Sequence, residues 1–492
     1  MSTRLANQGR LIDRSKPIEF TFNGNRMSGY EGDTLASALL ANDQMMVGRS
    51  FKYHRPRGLV ASGAEEPNAL VGLGNGNRFE PNQRVTTTEL FAGLSAQSQN
   101  HWPSLEFDVG AINTHLSRFL PAGFYYKMFM YPKAFWKHVY EPIIRQSAGL
   151  GKAPDKELKD ADSYEHFYFF ADVLVVGGGV AGLQAAKVAA SSGAKVLLME
   201  QTANWGGRAP VDGGTIDGLE PEAWIEQTLA ELTAMDNVTL RDRCMGAGVY
   251  DHGYALGYER LTDHTPGEAG PRHRLWRIRA KQIVTATGAI ERPLSFAGND
   301  VPGVMLAGAM RDYVVNWGVT PGQRVVVVTN NDDAYRTAIT LHKAGVDVVR
   351  ILDARPIGGG ALMEEARQLG IRVEPGRAIA KVTGGKRVNK VAICAQDGEG
   401  GAVRVRPEVE RHGGHWDDDE PELEPDLRDP RERHEDGQDG EGHDEAAVHV
   451  DDAAVEEVQR RGDEDQHRDH ERCRDGRGRR PPRAAAARAH DD

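Results

Sequence analysis

Apolar and polar positions alternate at Ile18, Phe20 and Phe22. Asn23-Gly24 then supplies the strongest short hairpin signal before a second short strand. Gly32-Asp33-Thr34 precedes an Ala/Leu run, where Asp33 or Thr34 can cap the free amides of a helix. Hairpin followed by helix predicts a small α+β module over residues 1–100, with long ordered loops up to about Gly76. From Asp172 the period changes. Val173–Val176 is a continuous apolar strand, Val180–Ser191 an Ala-rich helix, and Lys195–Glu200 a second strand. A later strand, Gln282–Ala286, runs into Thr287-Gly288. A second such unit occupies Arg324–Arg355, with strands Val325–Val328 and Val346–Leu352 around a helix ending near Leu341. Strands alternating with helices predict a parallel, doubly wound Rossmann-like sheet over 171–402.

Residues 101–170 carry a dense set of aromatics, from Trp102 to Phe170. Two readings stand: packing of a connecting segment into a core, or a docking surface for another subunit, since aromatics are enriched at interface centres.

Charge and composition change the picture mainly after Ala402. Residues 403–492 hold 29 acidic and 16 basic side chains, leaving 43 acidic and 44 basic in 1–402. The body is therefore nearly neutral, without the basic field that nucleic-acid binding requires. The segment 403–492 has no Lys, Ile, Phe, Tyr, Met, Ser, Thr or Asn. It cannot bury enough apolar area to fold, and disorder is expected. This is the composition that out-of-frame translation of a GC-rich coding sequence would give. On that reading the nucleotide domain breaks off before its end. Eight of the 17 histidines fall there without ordered spacing, so no metal site is assigned.

Three cysteines, Cys244, Cys394 and Cys473, stand far apart, with no CxxC pair and too few thiolates for an iron–sulfur cluster. The N-terminus lacks an apolar signal segment, and the most apolar stretch, near Phe124–Tyr131, is short and contains Lys127. A soluble, cytoplasmic protein without a membrane span is expected.

The candidate site is Gly177-Gly178-Gly179-Val180-Ala181-Gly182. The turn follows an apolar strand, opens a helix, and is followed at the expected interval by an acid, Glu200. Gly177 permits the tight turn, Gly179 lets backbone approach a pyrophosphate, and Gly182 lets the helix pack on the sheet. The helix amides and dipole would hold the phosphates. Glu200 would accept from ribose hydroxyls and repel a 2′-phosphate, which favours NAD or FAD over NADP. Arg208 is a candidate for phosphate or ribose contact, Ala247 for adenine contact, and Thr287-Gly288 closes the site from the sheet side. In the second unit the corresponding turn reads Thr329-Asn330-Asn331-Asp332-Asp333-Ala334, whose carboxylates suit the helix dipole and repel pyrophosphate. One dinucleotide per chain is expected. No catalytic constellation accompanies the turn.

At this point the residues support a resemblance. FTFNGNRMSGYEGDTLASALLAND, GRSFKYHRPRGLVASGAEEPNALV, DVLVVGGGVAGLQAA, ATGAIERPLSFAGNDVPGVMLAGAM and VVVVTNNDDAYRTA make residues 1–402 similar to the alpha subunits of heterotetrameric sarcosine oxidases. The resemblance implies a ferredoxin-like β-grasp module, metal-free here because Ser62–Leu70 has no cysteine. It also implies an NAD site carried by Gly177, Gly179, Ala181, Gly182, Glu200, Gln201 and Arg208. In that family sarcosine is oxidised at FAD on a beta subunit, and electrons pass through FMN held between alpha and beta to oxygen. The products are glycine, hydrogen peroxide and a one-carbon unit taken up by tetrahydrofolate in a C-terminal domain of alpha, which has no counterpart here. Beta, gamma and delta subunits are the implied partners, and the chain alone is expected to be inactive. Two other readings remain: a subunit of a related amino-acid or opine dehydrogenase, whose N-terminal modules usually keep cysteines, and a non-catalytic NAD-binding fragment.

Overall fold

A computed structural model of the chain describes residues 2–120, 131–147, 151, 153–155, 157–396 and 405–409. Strands β1 (Asp13–Phe22) and β2 (Asn25–Glu31) form the expected hairpin, with Phe22 opposite Asn25. Asn23 and Gly24 both take positive φ, 50° and 79°, as a two-residue hairpin turn requires. Helix α1 (Leu35–Ala41) starts at a capping box in which Thr34 and Ser37 satisfy each other's backbone N–H. Strands β3 (Leu70–Leu73), β4 (Glu80–Arg84) and β5 (Ser95–Ser98) complete a mixed sheet of order β2-β1-β5-β3-β4, with β1 and β5 parallel. Phe20, Phe22, Leu35, Leu39 and Val71 are buried between helix and sheet.

The first half of the nucleotide domain runs β6 (Tyr164–Val176), α2 (Val180–Ser191), β7 (Val196–Met199), α3 (Pro221–Thr233), β8 (Val238–Arg241). An antiparallel ribbon follows, β9 (Cys244–Tyr250), β10 (Tyr254–Arg260) and β11 (His273–Thr285). The sheet order is β8-β7-β6-β11-β10-β9. Strands β6 and β11 run in parallel register from Tyr164 opposite His273 to Val176 opposite Thr285. The aromatic run at 164–170 therefore belongs to the nucleotide domain rather than to the connecting segment, and Phe167 and Phe169 stack edge-on against buried Trp276. The pattern hid this because a long strand half outside the core lacks a clean apolar run. Elsewhere in the connecting segment, Trp102, Phe107, Ile112, Tyr131 and Ile143 are exposed and Leu105 is buried in the N-terminal core, while the aromatic run at 121–130 lies outside the described residues.

Helix α4 (Ala307–Trp317) has two apolar faces. Ala309, Tyr313 and Trp317 enter the core of the N-terminal module, while Met310 and Val314 enter that of the second half. The i, i+4 spacing of each set places them on separate stripes. The second half runs β12 (Arg324–Thr329), α5 (Asp333–Lys343), β13 (Asp347–Asp353), α6 (Gly360–Gln368), β14 (Val373–Pro375), in a parallel sheet of order β12-β13-β14. A second ribbon follows, β15 (Arg377–Gly384), β16 (Val388–Ala395) and β17 (Val405–Val409). Strand β17 falls inside the segment expected to be disordered from 403. It is held by ladder bonds to β16, with Ala392 opposite Val409, a pairing that composition cannot reveal. Residues 403–404 and 410–492 lie outside the described residues.

Candidate functional site

The glycine turn is fixed by collisions that side chains would cause. Gly177 has φ +108°, and a Cβ there would lie 2.3 Å from the Ala286 carbonyl oxygen. A Cβ on Gly182 would lie 1.8 Å from the Gly177 oxygen, so helix α2 reaches the sheet only with glycine at that position. Gly178, which the motif leaves unassigned, is pinned from two sides. Its N–H donates to Glu200 Oε2 at 2.8 Å, and a Cβ would meet the Trp205 ring at 2.5 Å.

Gly179 differs from its neighbours. Its φ is an ordinary −71°, and the nearest atom to a Cβ would be the Gly207 Cα, 4.0 Å away. Gly206 N–H donates to the Gly178 carbonyl at 2.8 Å, which holds the Gly206-Gly207 loop along the turn. Two glycines thus meet closely at the start of α2, where a Cβ on Gly207 would lie 3.2 Å from the Gly179 Cα, and they line a side-chain-free trough. No side chain caps the helix, and Leu183 N–H bonds back to Gly179. The N–H groups of Val180, Ala181 and Gly182 have no helical acceptor, as in any first turn. An uncapped helix start beside a side-chain-free trough fits a pyrophosphate.

Glu200 is buried at the end of β7. Its Oε1 accepts from Thr202 N–H at 2.8 Å and from Thr202 Oγ1 at 2.9 Å. It ties the glycine turn to the following loop, and Oε2, with one donor, retains capacity for another. Thr287-Gly288 crosses beside the turn and is exposed; the Thr287 amide nitrogen would lie 3.2 Å from a Cβ on Gly177. Ala181 is exposed on the first turn of α2.

The remaining expected residues sit differently. Arg208 turns towards α4, with Nη1 3.0 Å from Asp312 and Nη2 3.2 Å from Asp212. Burial works against its charge, and the two carboxylates outweigh that and raise its pKa. Gln201 is exposed, and its carbonyl accepts from Arg260 at 3.1 Å. Ala247 is the extra residue of a β-bulge between Gly246 and Gly248 on the outermost strand. Its neighbour Gly246 approaches the site instead, where a Cβ would touch Val176 at 2.7 Å. Sequence reasoning missed Gly178, Trp205, Gly206, Gly207 and Gly246. A Gly-Gly pair six residues after the acid was the available signal.

The second turn is closed by its own charges. Asp353, fully buried at the end of β13 where Glu200 ends β7, accepts from Arg355 Nη2 at 2.7 Å and from Tyr335 hydroxyl at 2.8 Å. Arg355 also reaches Asp332 at 2.8 Å, and Asp333 pairs with buried Arg311 at 2.9 Å. Burial pushes the Asp353 carboxyl up, but the bonds from Arg355 and Tyr335 outweigh it and hold its pKa below the usual value.

In the N-terminal module, buried Glu66 accepts backbone N–H groups from Val60 and Ala61 at 2.7 Å, Asn68 at 2.8 Å and Ala69 at 3.2 Å. Burial nevertheless leaves its pKa raised. Among the described residues no group of three or more His, Cys, Asp or Glu could hold a metal ion, and no helix is long and apolar enough to cross a membrane.

Comparison with known proteins agrees with this fold. The family model of the pyridine nucleotide-disulphide oxidoreductases matches residues 171–406, and that of the 2Fe-2S iron-sulfur cluster binding domain matches 15–101. The chain is 48% identical over 408 residues to the sarcosine oxidase subunit alpha of Rhizobium meliloti (strain 1021), covering 81% of this chain and 41% of that protein. The chain is a homologue of sarcosine oxidase alpha subunits. It is 37% identical to the subunit alpha of Corynebacterium sp. (strain P-1) over 375 residues, 75% of this chain and 33% of that protein. The chain thus spans about two fifths or less of the length of these relatives. The crystal structure of L-proline dehydrogenase from P. horikoshii shares the fold, with a TM-score of 0.50 at 19% identity, covering 82% of this chain and 61% of that one. The N-terminal match does not carry its metal with it. Residues 15–101 of this homologue contain no cysteine, and the amides of the 60–69 loop are taken by Glu66, so the residues present do not fit an iron–sulfur cluster.

Proposed function

We propose that this chain is the dinucleotide-binding part of an alpha subunit in a sarcosine-oxidising complex, and that it holds NAD at the Gly177–Gly182 turn. The observation that carries the reading is the side-chain-free surface lined by Gly179 and Gly207 at the uncapped start of α2. The amides of Val180–Gly182 would hold the pyrophosphate, and Glu200 Oε2 would take a ribose hydroxyl while its other bonds keep the loop in place. Thr287-Gly288 would border the site from the sheet side. Arg208, paired with Asp212 and Asp312, would order the wall of the site rather than bind phosphate directly. Bound NAD supplies a hydride-accepting nicotinamide, and the chain's own residues bind and orient it.

The reaction belongs to the assembly: sarcosine is oxidised by oxygen to glycine, hydrogen peroxide and a one-carbon unit for tetrahydrofolate, with FAD and FMN outside this chain's site. A flavin-bearing beta subunit, with gamma and delta subunits, would dock on the exposed apolar side chains of the connecting segment, Trp102, Phe107, Ile112, Tyr131 and Ile143. A cytoplasmic setting suits the two free thiols among the described residues, Cys244 and Cys394. Titration calorimetry of the full chain is expected to give one equivalent of NAD, with NADP much weaker. Two equivalents, or equal affinity for NADP, would refute the assignment.

A further inference from the structure

The loop that carries Glu200 is held by backbone bonds rather than by burial. Gln201 and Thr202 follow the acid with exposed side chains, so no apolar packing fixes their place. Three consecutive carbonyl oxygens are engaged instead: that of Glu200 by Cys244 N–H at 2.8 Å, that of Gln201 by Arg260 Nη2 at 3.1 Å, and that of Thr202 by Arg243 N–H at 2.9 Å. Arg243 lies in the turn between β8 and β9 with φ 48°, a left-handed conformation that a long side chain rarely adopts. Arg260 ends β10, and its N–H donates to the Arg243 carbonyl at 3.0 Å. The two arginines thus form one bracket around residues 200–202.

Both side chains of the bracket end in the N-terminal module. Arg243 makes a bidentate pair with Glu89, Nε to Oε1 and Nη2 to Oε2, each at 2.8 Å. Its Nη1 meets Asp242 at 2.9 Å. Arg260 Nη1 donates to the Thr87 carbonyl at 2.8 Å. The segment that receives them is anchored at the start of α1, where Leu35 N–H donates to the Thr88 oxygen at 2.8 Å and Leu90 N–H to the Asp33 oxygen at 2.9 Å. Glu89 therefore stands on a fixed backbone. A bidentate guanidinium–carboxylate pair sets orientation as well as distance, which suits a part that must keep a neighbouring loop in one place.

We propose that Glu89 is a positioning residue for dinucleotide selection: with Thr87, it lets the N-terminal module hold residues 200–202, through Arg243 and Arg260, so that the Glu200 carboxylate meets the ribose. This rests on the reading of the Gly177–Gly182 turn as an NAD site. The test is Glu89→Gln in the full 492-residue chain. Amide exchange at Gly178 and Thr202, whose N–H groups donate to Glu200, should quicken about tenfold. In calorimetry NAD affinity should fall about tenfold and NADP affinity should not fall, because only a free ribose hydroxyl gains from the carboxylate. Glu89→Asp, which keeps the charge, should recover part of the loss. Arg387→Gln removes another ion pair between the module and the nucleotide domain, that with Asp43, and should change neither readout. Unchanged exchange at both amides in the folded Glu89→Gln chain would overturn the proposal, as would an equal loss of NAD and NADP, or the same effects from Arg387→Gln. Absence of NAD binding by the unaltered chain would refute the nucleotide reading instead. The exchange comparison needs no nucleotide and would still decide whether the module holds Glu200.

Discussion

The two strand–turn–helix units trace one backbone path and carry opposite chemistry at the turn. The first presents Gly177–Gly182, with a side-chain-free trough and an uncapped helix. The second presents Thr329–Ala334, with Asp332 and Asp333 at the helix start and Arg355 and Arg311 neutralising them. Each unit buries a carboxylate at the end of its second strand. Glu200 spends part of its bonding on backbone N–H and retains an acceptor, whereas Asp353 is engaged by a guanidinium and a phenol. The difference teaches that a helix start must be left unsatisfied by the protein to serve a ligand. A turn that supplies its own counter-charges gains stability and loses the site.

The largest expected effect comes from giving the first turn the second turn's side chain. Gly182→Ala, matching Ala334, places a Cβ where the Gly177 oxygen stands and should cost about 3 kcal/mol in urea unfolding, with NAD binding lost. The reverse change, Ala334→Gly, should cost only about 1 kcal/mol, the helix-propensity difference. Comparable costs would mean that the two turns are not distinguished by close approach.

Next comes Gly179→Ala, whose Cβ would meet nothing nearer than the Gly207 Cα at 4.0 Å and which keeps an allowed φ but narrows the trough. NAD affinity should fall about 100-fold, roughly 2.7 kcal/mol, at unchanged melting temperature. Unchanged affinity in calorimetry would move the ligand away from this turn.

Arg355→Ala strips the second turn of one of its two counter-charges and leaves buried Asp353 with only Tyr335 and backbone partners. A loss of about 2 kcal/mol in urea unfolding is expected, with no new nucleotide equivalent, because Asp332 and Asp333 remain.

The smallest effect is with acid. Asp353 has a depressed pKa when folded, so its contribution is present above the unfolded carboxylate value, about 3.9, and is lost as pH falls through the folded one. Asp353→Asn should flatten the acid limb of a pH–stability curve below about 4. An unaltered limb would show that the carboxylate is not tightly held.

Much of this was legible in the chain. The hairpin at Asn23-Gly24, the helix Val180–Ser191 and the glycine turn were readable because each depends on neighbours in sequence, through turn chemistry, apolar period and capping. The failures are equally particular. Tyr164–Phe170 read as a connecting segment because half of β6 lies outside the apolar core, and its strand character rests on pairing with residues more than 100 positions away. Val405–Val409 read as part of a polar tail because its ladder to β16 involves backbone groups that composition does not register. Arg208 read as a candidate for phosphate or ribose contact from its place after Gly206-Gly207, and its pairing with Asp312, on a different helix, was not readable from the chain.

By itself, then, the sequence determined which turn is free of side chains and which is charged. Glycine at positions 177, 179 and 182, and aspartate at 332 and 333, are local facts of sequence, although the carbonyl that Gly177 must clear, that of Ala286, comes from a distant strand. Only the tertiary structure decided which groups are free to act. Glu200 is partly engaged by Gly178 and Thr202, Arg208 is drawn to Asp312, and Glu66 satisfies the loop in the N-terminal module. The physical reason is that a polar side chain's availability depends on every partner within hydrogen-bond reach, and those partners come from distant parts of the chain.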